Sequence, residues 1–195
     1  MGKSIDLLFQ SAKQYEKLLD IFYNIEIGRK GVVWKFSITF SKSDFHHIAG
    51  LHKLRDVFAA QRGFREDLFN KIINGQITQN DIEISDFYDE IKLRLFYLCY
   101  LEKILDDEHL IFKYNENVNI FSRIKSDFLI QGTYNNQILY LFLSSRIKNE
   151  INNQMCRSFF PKKDKDYSIG QPMYTLLKKQ KIRISTGEVL NEYIR

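Results

Sequence analysis

Ser122-Arg123-Ile124-Lys125-Ser126-Asp127-Phe128-Leu129-Ile130 carries the pattern on which the fold turns. Ile124, Phe128 and Ile130 fall on one side of an extended chain, and Arg123, Lys125 and Asp127 on the other. That is the period of two expected of a strand with one apolar and one charged face. The same period governs the chain from Leu110 onward. Leu110 to Tyr114 predicts a short strand, and Asn135-Asn136 a turn. Ile138 to Leu143 is apolar on both faces and predicts a central strand. Met155 to Phe160 predicts a further strand stopping at Pro161. A charged loop over 162–166 follows, and Tyr174 to Lys181 reads as a short helix.

Upstream, the spacing is mostly helical. Ser4 is placed to cap a first helix whose apolar positions Leu8, Ala12, Tyr15, Leu19 and Phe22 recur every three or four residues, ending before Gly28 and Gly31. Trp34, Phe36, Ile38 and Phe40 alternate with polar residues, as in a half-buried strand. A helix over Phe64 to Ile73 is stopped by Gly75. Ser85 opens the strongest helical pattern, with a stripe of Phe87, Ile91, Leu95, Leu98 and Leu105. Helices first and an antiparallel meander afterwards predict an α+β fold: N-terminal helices (about residues 1–108) packed on a C-terminal antiparallel sheet of about four strands (about 109–195), in a single domain spanning 1–195.

Composition bounds the function. Of 195 residues, 44% are hydrophobic and 14% aromatic, which excludes a disordered chain. The net charge of +5 is unevenly placed. Residues 121–195 hold 13 Lys/Arg against 6 Asp/Glu, leaving 16 against 18 for residues 1–120. The second part of the chain therefore favours an anionic partner. Cys99 and Cys156 are far apart and sit in apolar patterns, where free Cys behaves as a small hydrophobe. With no signal peptide and no apolar run near 18 residues, a cytoplasmic protein without a membrane partner is expected. Phosphate-cradling glycine loops, nucleophile elbows and CxxC pairs are absent from the sequence.

Two constellations carry chemistry. The first is Phe45-His46-His47-Ile48-Ala49-Gly50-Leu51-His52-Lys53-Leu54-Arg55-Asp56, which holds three of the four His residues. Helical metal ligands want spacings of three or four; five and six separate His47 and His46 from His52, so no metal is expected here. Imidazoles titrate near neutrality and suit acid or base work, with Lys53 and Arg55 as neighbouring cations. Gly50 is a poor choice inside a helix and predicts a break or a close approach. The second constellation is Ser122, Arg123, Lys125 and Ser126 on one strand and Arg157-Ser158-Phe159-Phe160 on another. Cleavage of RNA without a metal requires a base for the 2′-hydroxyl, a cation for the phosphorane and an acid for the leaving oxygen. His, Lys/Arg and hydroxyl side chains supply these roles; the same cations could equally bind phosphates without chemistry.

The runs Phe45 to Leu54, Ser122 to Phe128 and Cys156 to Phe160 resemble a phage- and mobile-element-associated family of ribonucleases in the barnase/EndoU/colicin/RelE-like superfamily, its fourth phage-type branch. The resemblance covers roughly residues 5–182. It implies a helical part on a four-stranded antiparallel sheet, metal-independent RNA cleavage without a cofactor, and a toxin or host-conflict setting. It places His47, or alternatively His46, at the catalytic histidine, with Lys53, Lys125 and Ser158 as further catalytic candidates. Arg55, Ser122, Arg123, Arg157 and Tyr167 are then expected to bind RNA, Tyr167 by stacking on a base. The function expected is a metal-independent endoribonuclease, with an antitoxin or a host defence protein as a further partner. The alternative is a non-catalytic phage-encoded protein that inhibits a host defence nuclease or binds nucleic acid.

Overall fold

The computed structural model describes residues 6–58, 64–107, 109–119, 122–148 and 150–195. Helix α1 (Leu7–Glu16) begins at Asp6, whose carboxylate accepts the Phe9 N–H at 2.8 Å. The expected cap, Ser4, lies outside the described residues. The helix does not run on to Phe22. After one 3-10 turn (Lys17–Asp20) the chain enters β1 (Ile21–Arg29). Ile21, Tyr23, Ile25 and Ile27 form a buried period of two, and their β-branched side chains suit a pleated surface better than a helix. A tight turn at Lys30-Gly31, both with positive φ, leads into β2 (Val32–Thr39).

Among the described residues the next helices are α2 (Lys42–Ile48), α3 (Arg65–Ile73), α4 (Gln79–Glu83), α5 (Lys92–Leu98) and α6 (Leu101–Asp106). A capping box in which Ser41 and Asp44 serve each other's backbone N–H groups opens α2. The single long helix expected from Ser85 is broken into a 3-10 turn (Tyr88–Glu90), α5 and α6. Aromatic residues and Cys99 at the α5–α6 junction have weak helix propensity, which lowers the cost of interrupting the helix there. No helix among the described residues is long and apolar enough to cross a membrane.

The remaining strands are β3 (Leu110–Lys113), β4 (Phe128–Tyr134), β5 (Gln137–Ser145), β6 (Asn153–Pro161), β7 (Met173–Arg183) and β8 (Val189–Ile194). Neighbours run β1-β2-β6-β5-β4-β3-β7, and β7 pairs back onto β1. Hydrogen bonding thus closes a seven-stranded barrel, mixed because β2 and β6 are parallel, with β8 added along β7. This overturns the expected four-stranded antiparallel sheet under N-terminal helices. Two strands of the barrel come from the first forty residues, and the expected helix at Tyr174 to Lys181 is the middle of β7. The sheet claims that segment because β1 pairs along one edge while β3 and β8 share the other.

The central position of β5 holds as expected. Leu139, Leu141 and Leu143 face the main core with Phe128 and Ile130, while Tyr140 and Phe142 join Phe112, Tyr114 and Leu129 in a second cluster. The Asn135-Asn136 turn also holds, with both residues at positive φ. Residues 122–127 lie outside the ladder, which starts at Phe128; Arg123 and Lys125 are exposed.

Candidate active site

The three clustered histidines come together through one turn. His46 and His47 end α2; Gly50 then adopts φ +82°, and a 3-10 turn (Leu51–Lys53) brings His52 back against them. Ring centroids lie 5.4 Å apart for His46–His47, 5.0 Å for His47–His52 and 6.1 Å for His46–His52. His46 is buried, His47 half-buried and His52 exposed.

Facing them is a cationic wall. Arg123 and Lys125 reach it from the segment before β4, Arg157 and Ser158 from β6. Together with His47, His52 and Ile124 these line a cavity of about 370 Å³. His52, Arg123, Ile124 and Ser158 also line an adjoining groove of about 790 Å³, so the two are continuous. Lys53, Arg55, Arg94 and Tyr167 are on the groove side.

The electrostatics favour neutral imidazoles. Burial, the charges of Arg65 and Arg157 and the neighbouring histidines lower His47 to about 4. Burial and Arg94 likewise lower His52 to about 4, with a hydrogen bond to the His46 backbone acting in the opposite direction. Lys53 donates to Glu90 at 3.0 Å, which holds that carboxylate below its usual range. Arg55 lies over the Phe87 ring at 5.2 Å. Tyr167 is wedged against Tyr140, Phe142 and Phe160 at 5.4–5.6 Å, with Lys165 over its ring at 5.0 Å.

Of the residues singled out by sequence, His47, Lys125, Arg123, Arg157 and Ser158 share the smaller cavity, and Lys53, Arg55 and Tyr167 the groove. His46 stands behind His47, and the Ser122 hydroxyl is used in a turn, accepting the Ile124 N–H at 3.2 Å. Two groups were missed as site residues. His52 belongs with His47. Arg94 was hidden in the apolar stripe of α5, three residues after Ile91 and four before Leu98; a cation on the buried face of a helix was the readable signal.

His46, His47 and His52 each offer a ring nitrogen within 4.8 Å of the others, so three imidazoles could converge on a metal ion. The charges acting on them, from Arg65, Arg157, Arg94 and Lys53, oppose a dication as they oppose a proton.

Residues 7–195 match the family described as phage-Barnase-EndoU-ColicinE5/D-RelE like nuclease4. No curated protein and no solved structure matches the chain. With the match running from the start of α1 through β8 and the histidine cavity, the chain belongs to this phage-type nuclease family.

Proposed function

We propose that the protein is a metal-independent endoribonuclease of phage or mobile-element origin, acting in conflict with a host or a rival element. The observation that carries this reading is the cavity in which imidazoles held neutral at neutral pH face Arg123, Lys125 and Arg157. In this reading a phosphodiester enters between the two walls. Its negative charge offsets the cations that depress His47 and raises the basicity of the imidazole. His47 takes the proton of the ribose 2′-hydroxyl, the 2′-oxygen attacks phosphorus, and the P–O5′ bond breaks. The proton taken by His47 then passes through its neighbour His52, whose ring lies 5.0 Å away, to the departing 5′-oxygen, so both imidazoles begin and end neutral. The products are a 2′,3′-cyclic phosphate and a 5′-hydroxyl, and atoms balance without a metal. Lys125, Arg123 and Arg157 neutralise the charge that grows on the phosphorane. Lys53 is paired with Glu90, so Arg55, Lys163 and Lys165 keep the groove cationic, and Ser158 offers a hydroxyl beside the reacting phosphate. Arg55 and Tyr167 lie where the flanking strand would pass.

The test is cleavage of an end-labelled RNA by purified protein in EDTA, with the new ends identified chemically. Cyclic phosphate ends, lost on His47→Ala with folding intact, are expected. Cutting abolished by EDTA and restored by zinc would defeat the proposal and assign the histidine cluster to a metal. A folded protein that forms a stable complex with a nuclease partner, without RNA turnover and insensitive to His substitutions, would favour an inhibitor instead.

A further inference from the structure

Arg94 poses a problem of charge. It lies on α5 at 7% exposure, and its Nη1 is buried without a hydrogen-bond partner among the described residues. Its guanidinium sits over the Phe160 ring at 5.1 Å, an apolar platform rather than a counter-ion. The carboxylate whose charge acts on it is Glu90, but Glu90 is ion-paired to Lys53 at 3.0 Å. Burying a guanidinium without an ion pair is costly, and such groups persist where something else requires them.

The backbone is built around this side chain. A Cβ at Gly50 would stand 2.9 Å from Arg94 Cδ and 3.3 Å from its Nε, so the left-handed turn that returns His52 to His47 is also the space the arginine occupies. Arg94 lines the same groove as His52, Arg123 and Ser158, and so does Lys53. Counting every charged lining residue of that groove, six Lys/Arg face three Asp/Glu.

We infer that Arg94 is the floor of a phosphate-binding subsite, seated under the histidine turn, which receives a backbone phosphodiester of the bound strand. The inference deepens the nuclease reading by naming the residue that positions the substrate, and rests on it only for the identity of the strand. A planar guanidinium with a free edge suits the paired oxygens of a phosphate, and Phe160 behind it excludes the water that would otherwise compete. A strand anchored there is delivered to the cavity containing His47, because the two spaces share His52, Arg123 and Ser158.

The test uses a non-cleavable 2′-O-methyl RNA and inorganic phosphate, with wild type, R94M and R94K. In wild type, phosphate is expected to raise the melting temperature and the RNA to bind in fluorescence anisotropy. R94M is expected to melt no lower than wild type in phosphate-free buffer, because it removes a buried charge lacking an ion pair. It should also lose the phosphate-dependent rise and weaken RNA binding about tenfold or more, with R94K intermediate. Should R94M fail to fold, R94K against wild type carries the same comparison. Equal RNA affinity in all folded proteins would overturn the inference. A phosphate effect that depends on Arg94 while RNA affinity does not would overturn the phosphodiester assignment and leave a free-anion site. Arg94-dependent RNA binding in a protein that cuts no RNA would defeat the nuclease reading and leave this one standing.

Discussion

Asp44 and Arg146 form an ion pair of 2.7 Å that ties the first turn of the histidine helix to the chain just beyond β5. Asp44 is buried, and its second task is to accept the Ser41 N–H at 3.0 Å in the capping box. Arg146 also donates to the Thr39 carbonyl and hydroxyl, both at 3.0 Å. The pair thus adds a polar tie to the packing of Phe45 and Ile48 that seats α2, and with it His46 and His47, on the barrel. Asp44→Ala should cost about 3 kcal/mol, since it strands a part-buried guanidinium and removes a cap. Urea denaturation of the single variants and of D44A/R146M would show it; costs that simply add would mean that the two residues are not coupled.

Gly50→Ala should be destabilising by roughly 2 kcal/mol or more. The position combines φ +82° with a Cβ that would meet Ile91 Cγ2 and Arg94 Cδ, each at 2.9 Å. Because the same turn returns His52 to His47, RNA cleavage should fall further than the folded fraction does. Activity measured per folded molecule separates the two effects.

The pH dependence follows from His47 and His52. Both fall to about 4 in the folded chain against about 6.5 when unfolded. Above pH 6.5 both states are neutral and these residues contribute nothing to pH dependence. Between 6.5 and 4 the unfolded state binds protons that the folded state refuses, so stability declines as pH falls through this window. Solvent screening at exposed His52 makes its share the smaller one. The pH 7-to-5 loss in melting temperature should shrink in H47Q/H52Q. The acid limb of cleavage by the free enzyme should lie nearer 4 than 6.5; a limb at 6.5 in kcat/KM would mean that His47 is not the base.

Lys179 closes the lower end of α6. Its Nζ donates to the carbonyls of Leu105, Asp106 and Asp107 at 2.7, 2.7 and 2.8 Å, from a side chain in a residue only 6% exposed. A cation there satisfies orphan carbonyls and complements the helix dipole. Lys179→Met should cost about 2–4 kcal/mol in urea denaturation, whereas Lys178→Met on the same strand, at a half-buried lysine paired with Glu192 at 3.6 Å, should cost about 1 kcal/mol or less.

The sequence made local patterns legible and global pairing illegible. Ile138 to Leu143 announced a strand buried on both sides, and Asn135-Asn136 its turn, because these depend on a few neighbouring side chains. Ile21 to Arg29 was misread because its apolar positions satisfy a helical spacing and a period of two at once; burial against β7, some 150 residues away, decided between them. The lysines of β7 were read as a helix end for a similar reason. Lys179 and Lys181 are held by carbonyls and carboxylates of α6 that no local pattern indicates. At the site, the histidines were visible as a cluster and the residues facing them as two basic runs, of which only the one with Arg157 and Ser158 is a strand. Their convergence required the parallel contact of β2 with β6, which carries Arg157 and Ser158 alongside α2.

The pairing of Ile21 with Arg183 sets a clock on synthesis. At translation rates of about 5–20 residues per second, β1 emerges roughly 8–30 seconds before the strand that completes the ring. Until then Ile21, Tyr23, Ile25 and Ile27 lack one neighbour, and β6 with Arg157 and Ser158 has no closed frame to hold it. Until β7 emerges, the nascent chain, surrounded by ribosomal RNA, has no closed ring to hold its histidine cavity together.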